Sequence, residues 1–236
     1  MSRDGEKRRW KGKGDAKASV RRKLTRRVKT ARGRKISSVR WLQRQLNDVY
    51  VQRAQEEGYR GRAAYKLIEL DDRFRLIRKN SRVVDLGAAP GGWAQVAVAR
   101  GASQVVGIDL LPIEPLDGAQ FLEMDFTEIE ATQAVIDLLS GPPDLVLSDM
   151  ASNTTGHPAT DHLRIVALVE LAAEFAIETL RPGGQFVAKV FQGGADGELL
   201  KLLRANFETV RHFKPDASRS TSAETYVIAR NFRKKR

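Results

Sequence analysis

Lys189 sits in the run QFVAKVF, residues 185–191. Phe186, Val187, Ala188, Val190 and Phe191 describe a strand buried on both faces. An ammonium group is costly among such neighbours unless it has a partner or a task. An amine able to shed its proton is a general base. The C-terminal edge of an open α/β sheet, where this lysine falls on its strand, is where ligands bind. Asp149 ends a second apolar run, PDLVLSDM, and belongs at the same edge. Amine and carboxylate could therefore meet across the top of the sheet.

A second set of residues could hold a nucleoside. In VVDLGAAPGGW, residues 83–93, an apolar run leads to Asp85, then Gly87, Gly91 and Gly92, then a helix signal. Glycines at such a turn let the backbone approach a ligand closely. The turn is neither G-x-G-x-x-G nor a P-loop. Asp109 ends the next strand, 22 residues after Gly87, where a carboxylate can accept from ribose hydroxyls. Asp125, in EMDF, ends the third and can meet an adenine edge. Asp85 and Asp125 could instead cap the following helices. Taken together the residues describe an adenosine pocket. S-adenosylmethionine suits it, because that cofactor needs no phosphate cradle, whereas NAD would want donors at a turn from which Pro90 removes one N–H.

The elements that must position these groups alternate. Strand signals at RVVDLG, QVVGIDL, AQFLEMDF, PDLVLSDM and QFVAKVF are interleaved with helix signals at GWAQVAVARG, EIEATQAVIDLLSG and DHLRIVALVELAAEFAIETL. RGRAAYKLIELDDRFRL reads as a helix before the first strand, with Ala64, Leu67, Ile68 and Phe74 inward. SSVRWLQRQLNDVYVQRAQEEG reads as one helix ahead of it, with Trp41 as core. DGELLKLLRANF is a late helix, and ETYVIARNF closes the chain as a strand. A short polar segment joins the last two strands, which predicts an antiparallel pair. The expected fold is α/β: a class I, Rossmann-like methyltransferase sheet, mostly parallel with one antiparallel strand near the edge and helices on both faces.

Of 236 residues, the first 36 hold 16 Lys/Arg against 3 Asp/Glu, and the other 200 hold 25 against 26. All the excess basicity is therefore an N-terminal arm, residues 1–36, expected to be disordered until it meets a phosphate backbone. The remainder, residues 37–236, is expected to be the folded domain. The absence of cysteine excludes disulfides, thiolate metal sites and a cysteine nucleophile. Three histidines make a histidine metal site unexpected. The most apolar helix is interrupted by Glu170, Glu174 and Glu178, so no membrane span is expected.

The sequence resembles, from about Arg60 to Phe232, the FtsJ family of ribosomal RNA 2′-O-ribose methyltransferases. GRAAYKL, VVDLGAAPGGW, GIDL, DLVLSDMASNTTG, FVAKVFQG and SRSTSAETYVIA carry the resemblance. It implies a catalytic set of Lys66, Asp149, Lys189 and Glu224. The cofactor contacts it implies are Gly91, Trp93, Asp109, Asp125 and Asp149, with S-adenosylmethionine as donor and no metal. The expected partner is ribosomal RNA within the large subunit, with a uridine of the peptidyl-transferase region as target, in the cytoplasm and with the enzyme a monomer. The family often has proline at the position of Ser152. On this reading Lys189 is the base, Asp149 its partner near the sulfonium, and Lys66 and Glu224 position.

Rival chemistries are weaker. Attack by an exocyclic amine usually goes with N/D-P-P-Y/F after the fourth strand, where this chain reads SDMA, and attack at a pyrimidine carbon usually needs a cysteine. A non-catalytic RNA-binding module predicts a damaged catalytic set, and all four positions are present. The same chemistry on transfer RNA or a messenger cap is the nearest alternative.

Overall fold

A computed structural model describes residues 36–151, 158–191 and 197–233. Its elements are α1 (Ile36–Leu46), α2 (Val49–Glu57), α3 (Ala63–Phe74), β1 (Arg82–Leu86), α4 (Gly92–Ala99), β2 (Gln104–Asp109) and β3 (Ala119–Glu123). Then come α5 (Ile129–Leu138), β4 (Leu145–Ser148), α6 (Pro158–Thr179), β5 (Gln185–Phe191), α7 (Gly197–Asn206), β6 (Phe207–Phe213) and β7 (Glu224–Phe232). Helix α1 belongs to a unit ending at Asn47, and the other elements to a second unit, Asp48–Arg236. Apart from Ile36, the arm expected at residues 1–36 lies outside the described residues, as do Ser152 and the side chain of Trp41.

Strand order is β3-β2-β1-β4-β5-β7-β6. Strands β3, β2, β1, β4 and β5 pair in parallel, while β7 runs antiparallel to both β5 and β6. The single reversed strand is next to the edge, as the short β6–β7 connection predicts.

Strand alternation assigns every side chain to one of two layers. On one face Val83, Leu145, Leu147, Val187, Tyr226 and Ile228 pack with Leu67 and Leu70 of α3 and Trp93 of α4. On the other, Val84, Val146, Phe186, Ala188 and Val227 pack with α5, α6 and α7. Phe74, partly buried, packs against the core on the first face, its ring edge-on to Phe213 at 5.5 Å. Among the described residues no helix is long and apolar enough to cross a membrane.

The single helix expected over SSVRWLQRQLNDVYVQRAQEEG is two. The break falls at Asn47–Asp48, where Asp48 turns extended and its carboxylate accepts the Tyr50 N–H at 3.1 Å. A short carboxylate side chain competes for backbone donors inside a helix but satisfies them at its start.

Candidate active site

Residues two apart on a strand share a face, so Asp85, Asp149 and Lys189 follow Val83, Leu147 and Val187 toward the α3–α4 layer. Lys189 lies opposite Tyr226, and Phe191 opposite Glu224, in the β5–β7 register. Glu224 and Tyr226, also two apart, point the same way. Lys66 comes from α3, packed on that face. The layer rule alone therefore brings these five groups and one helix-borne amine together at the C-terminal edge of the parallel sheet.

Lys66 Nζ is 2.7 Å from Glu224 Oε1 and 3.3 Å from Asp149 Oδ2. Lys189 Nζ is 3.2 Å from Asp149 Oδ1 and donates to the Asp149 carbonyl at 2.6 Å. Both amines are buried, Lys189 at 6% exposure in an interior strand. An edge lysine reaching out to water is thus excluded. The Tyr226 hydroxyl donates to Asp149 Oδ1 at 2.7 Å and lies 3.2 Å from Glu224 Oε1. Burial first, then the Asp149 and Glu224 charges, hold that phenol well above the ordinary tyrosine range, so it stays a donor. Burial would raise the Glu224 carboxyl, but Lys66, Ser218 and Lys189 outweigh it and hold it below its usual value. The four residues expected from the sequence converge. Tyr226 was missed, because an aromatic in an apolar strand reads as core; its place two residues after Glu224 was the available signal.

Beside this cluster runs a cleft of about 620 Å³. Its walls include Gly87, Asp109, Leu110, Leu111, Asp125 and Asp149. Asp109 ties the glycine turn to the end of β2, accepting from the N–H groups of Ala89 and Leu111, each at 2.9 Å. Asp125 accepts from the Thr127 N–H and hydroxyl at 2.9 and 2.8 Å, so it caps its own turn while facing the cleft. Trp93 lines a smaller adjoining cavity of about 60 Å³, with its indole N–H bonded to the Ala63 carbonyl at 2.8 Å. Gly91 lines neither space. Its φ of +98° starts α4, and a Cβ there would meet Arg60 Nη1 at 2.6 Å.

Two features fit a bound adenosyl donor. A Cβ on Gly87, whose φ is +74°, would stand 2.2 Å from Met150 Cγ, so only glycine keeps this wall of the cleft open. Asp85 faces the smaller cavity with one carboxylate oxygen unpartnered. Burial, then the nearby Asp149 and Asp109, push its carboxyl well above the usual range. A buried acid without a partner is the kind of group a ligand's positive end completes.

The FtsJ-like methyltransferase family matches residues 59–232. This chain belongs to that family. It is 64% identical over 220 residues to the ribosomal RNA large subunit methyltransferase E of Maricaulis maris, covering 93% of this chain and 78% of the relative. To the protein of that name from Hyphomonas neptunium it is 55% identical over 232 residues, covering 98% and 99%. A solved structure from Plasmodium falciparum, described as a ribosomal RNA methyltransferase, superimposes with a TM-score of 0.65 at 29% identity, over 74% of this chain and 98% of that one. The family match spans the glycine turn and all four clustered residues, and leaves residues 1–58 outside it.

Proposed function

We propose that the protein transfers a methyl group from S-adenosylmethionine to the ribose 2′-hydroxyl of a uridine in 23S ribosomal RNA, in the assembled large subunit. The observation that carries this is the Lys66–Asp149–Lys189–Glu224 cluster set against a cleft whose walls include Gly87, Asp109 and Asp125. The names of its relatives support the RNA class.

Bound in the cleft, the cofactor supplies an electrophilic methyl on a sulfonium. Asp109 and Asp125 would hold its ribose and adenine, with Leu110 and Leu111 offering an apolar wall to the ring. Asp85 and Asp149 would face its methionine end. Lys189 Nζ would take the proton of the attacking ribose hydroxyl as its oxygen accepts the methyl, the sulfonium's carbon–sulfur bond breaking to leave a neutral thioether. Asp149 orients that amine through its carboxylate and carbonyl. Lys66 bridges Asp149 and Glu224 and fixes the spacing of the carboxylates. Holding nucleophile and methyl in line supplies much of the rate. We assign residues 1–36 as the arm that meets RNA phosphates, and place the enzyme in the cytoplasm as a monomer.

The test is incubation with labelled cofactor and either free 23S RNA or large subunits lacking the modification. Nuclease digestion and mass spectrometry then locate the methyl. Label on ribose, greater with subunits, is expected. Label on a base would overturn the reading.

A further inference from the structure

Two guanidinium groups, Arg60 and Arg62, precede Lys66 in sequence, and they reach in different directions. Arg60 lies in the α2–α3 connection. Its side chain donates to the carbonyls of Pro90 (3.2 Å), Glu114 (2.7 Å) and Pro115 (2.7 Å). Pro90 belongs to the glycine turn, and Glu114 and Pro115 to the loop that carries Leu110 and Leu111 out of β2. One planar group thus staples the two loops that form the cofactor cleft. Its own backbone is fixed too, since its N–H donates to Gln95 Oε1 of α4 at 2.8 Å. Among the described residues no carboxylate pairs with its guanidinium, whose acceptors are these three backbone carbonyls.

Arg62 turns to the other half of the site. It is 16% exposed, bonded to the Asp48 carboxylate and to the carbonyl of Ala217. The Ala217 N–H is taken by Glu69, at 3.1 Å to each carboxylate oxygen. Arg62, Lys66 and Glu69 recur at helix spacing and present one face of α3 to the 214–224 segment. Ala217 is fully buried, with both its backbone groups held by that face. The next residue, Ser218, donates to Glu224 Oε1 at 2.8 Å. The chain of contacts runs from Arg62 and Glu69 through Ala217 and Ser218 to the carboxylate that holds Lys66.

We infer that Arg60 and Arg62 are positioning residues with divided duties, Arg60 setting the cofactor cleft and Arg62, with Ser218, setting the catalytic cluster. This rests on the methyltransferase reading above. Lysine cannot replace either group, because a single ammonium cannot span two loops as a planar fork does.

The experiment compares Arg60→Lys, Arg62→Lys and Ser218→Ala in the full-length chain. Cofactor dissociation constants come from calorimetry without RNA, and kcat and KM from methylation of unmodified large subunits. Melting temperatures accompany both. For Arg60→Lys the loss falls on cofactor affinity and KM, on the order of tenfold, as expected for losing charge-assisted hydrogen bonds. For Arg62→Lys it falls on kcat by a similar factor, with cofactor affinity retained. Ser218→Ala follows Arg62→Lys with a smaller change, and the double variant Arg62→Lys/Ser218→Ala is less than additive. Equal losses of affinity and turnover in both arginine variants, or no change in either, overturn the division of duties. A wild-type protein that binds cofactor but leaves ribose unmethylated overturns the functional reading instead, and calorimetry of Arg60→Lys still tests the cleft.

Discussion

Two carboxylates on one face of the sheet, Asp85 buried and Glu224 partly so, have opposite fates. Glu224 has partners on every side: Lys66 at 2.7 Å, the Ser218 hydroxyl at 2.8 Å and the Tyr226 hydroxyl at 3.2 Å. Its carboxyl is held below the usual range, against the cost of burial. Asp85 has an oxygen with no partner, and its carboxyl is pushed well above that range. The cluster proposed to be catalytic is therefore fully paired without ligands, which on that mechanism spares reorganisation when a proton must move. The cofactor end is left one partner short. On the proposed mechanism, the difference teaches where the fold places its polar strain: in the group a bound ligand would satisfy, and not in the groups assigned to the chemistry.

The largest expected effect comes from Lys189→Ala. Methyl transfer should fall by about 10²–10⁴, the usual contribution of a general base, while calorimetry finds cofactor affinity retained. A parallel loss of affinity would mean the two ends are not separate.

Gly87→Val should do the reverse. The added side chain meets Met150 at a backbone angle that branched residues rarely adopt, so cofactor binding should weaken on the order of 2–3 kcal/mol. Near-wild-type titrations would show that Met150 yields and that the cleft wall is softer than its packing suggests.

Tyr226→Phe removes only the hydroxyl that touches both carboxylates. We expect kcat to drop by about 1 kcal/mol, roughly fivefold, with KM for cofactor little changed. An effect on affinity alone would assign Tyr226 to the cofactor end.

The smallest effect is on stability against pH, and its sign distinguishes the two acids. Because the Asp85 carboxyl is raised in the fold, the folded state keeps a proton that the unfolded chain loses above about pH 3.9. Asp85 therefore costs stability as pH rises from there up to its folded value. Thermal melts of Asp85→Asn without cofactor should be flatter with rising pH than those of wild type. Glu224 acts oppositely: its contribution is present above about pH 4.3 and is lost as pH falls through its lowered folded value. Glu224→Gln should remove that acid-side loss and leave the slope on the alkaline side intact.

Much of this was determined by the sequence alone. The alternation of apolar strand runs with helix-spaced runs sets a parallel α/β sheet, and the short β6–β7 connection sets the reversed strand. The glycine turn and the acids at successive strand ends, each a local signal read within a few residues, pointed to the cleft proposed as the nucleoside pocket. Lys189 announced itself by its apolar neighbours, while Lys66 and Glu224 were legible only through the family resemblance. Tertiary structure alone decided the rest. The break at Asp48 has a local cap in its bond to the Tyr50 N–H, but the same carboxylate is also held by Arg62 and Arg219, 14 and 171 residues away, which no local pattern announces. Arg60 binds carbonyls 30 to 55 residues away, and backbone acceptors carry no residue signature at all. Periodicity tells which face a side chain takes; which partner it meets there is set by how the layers pack, and that information is spread over the whole chain.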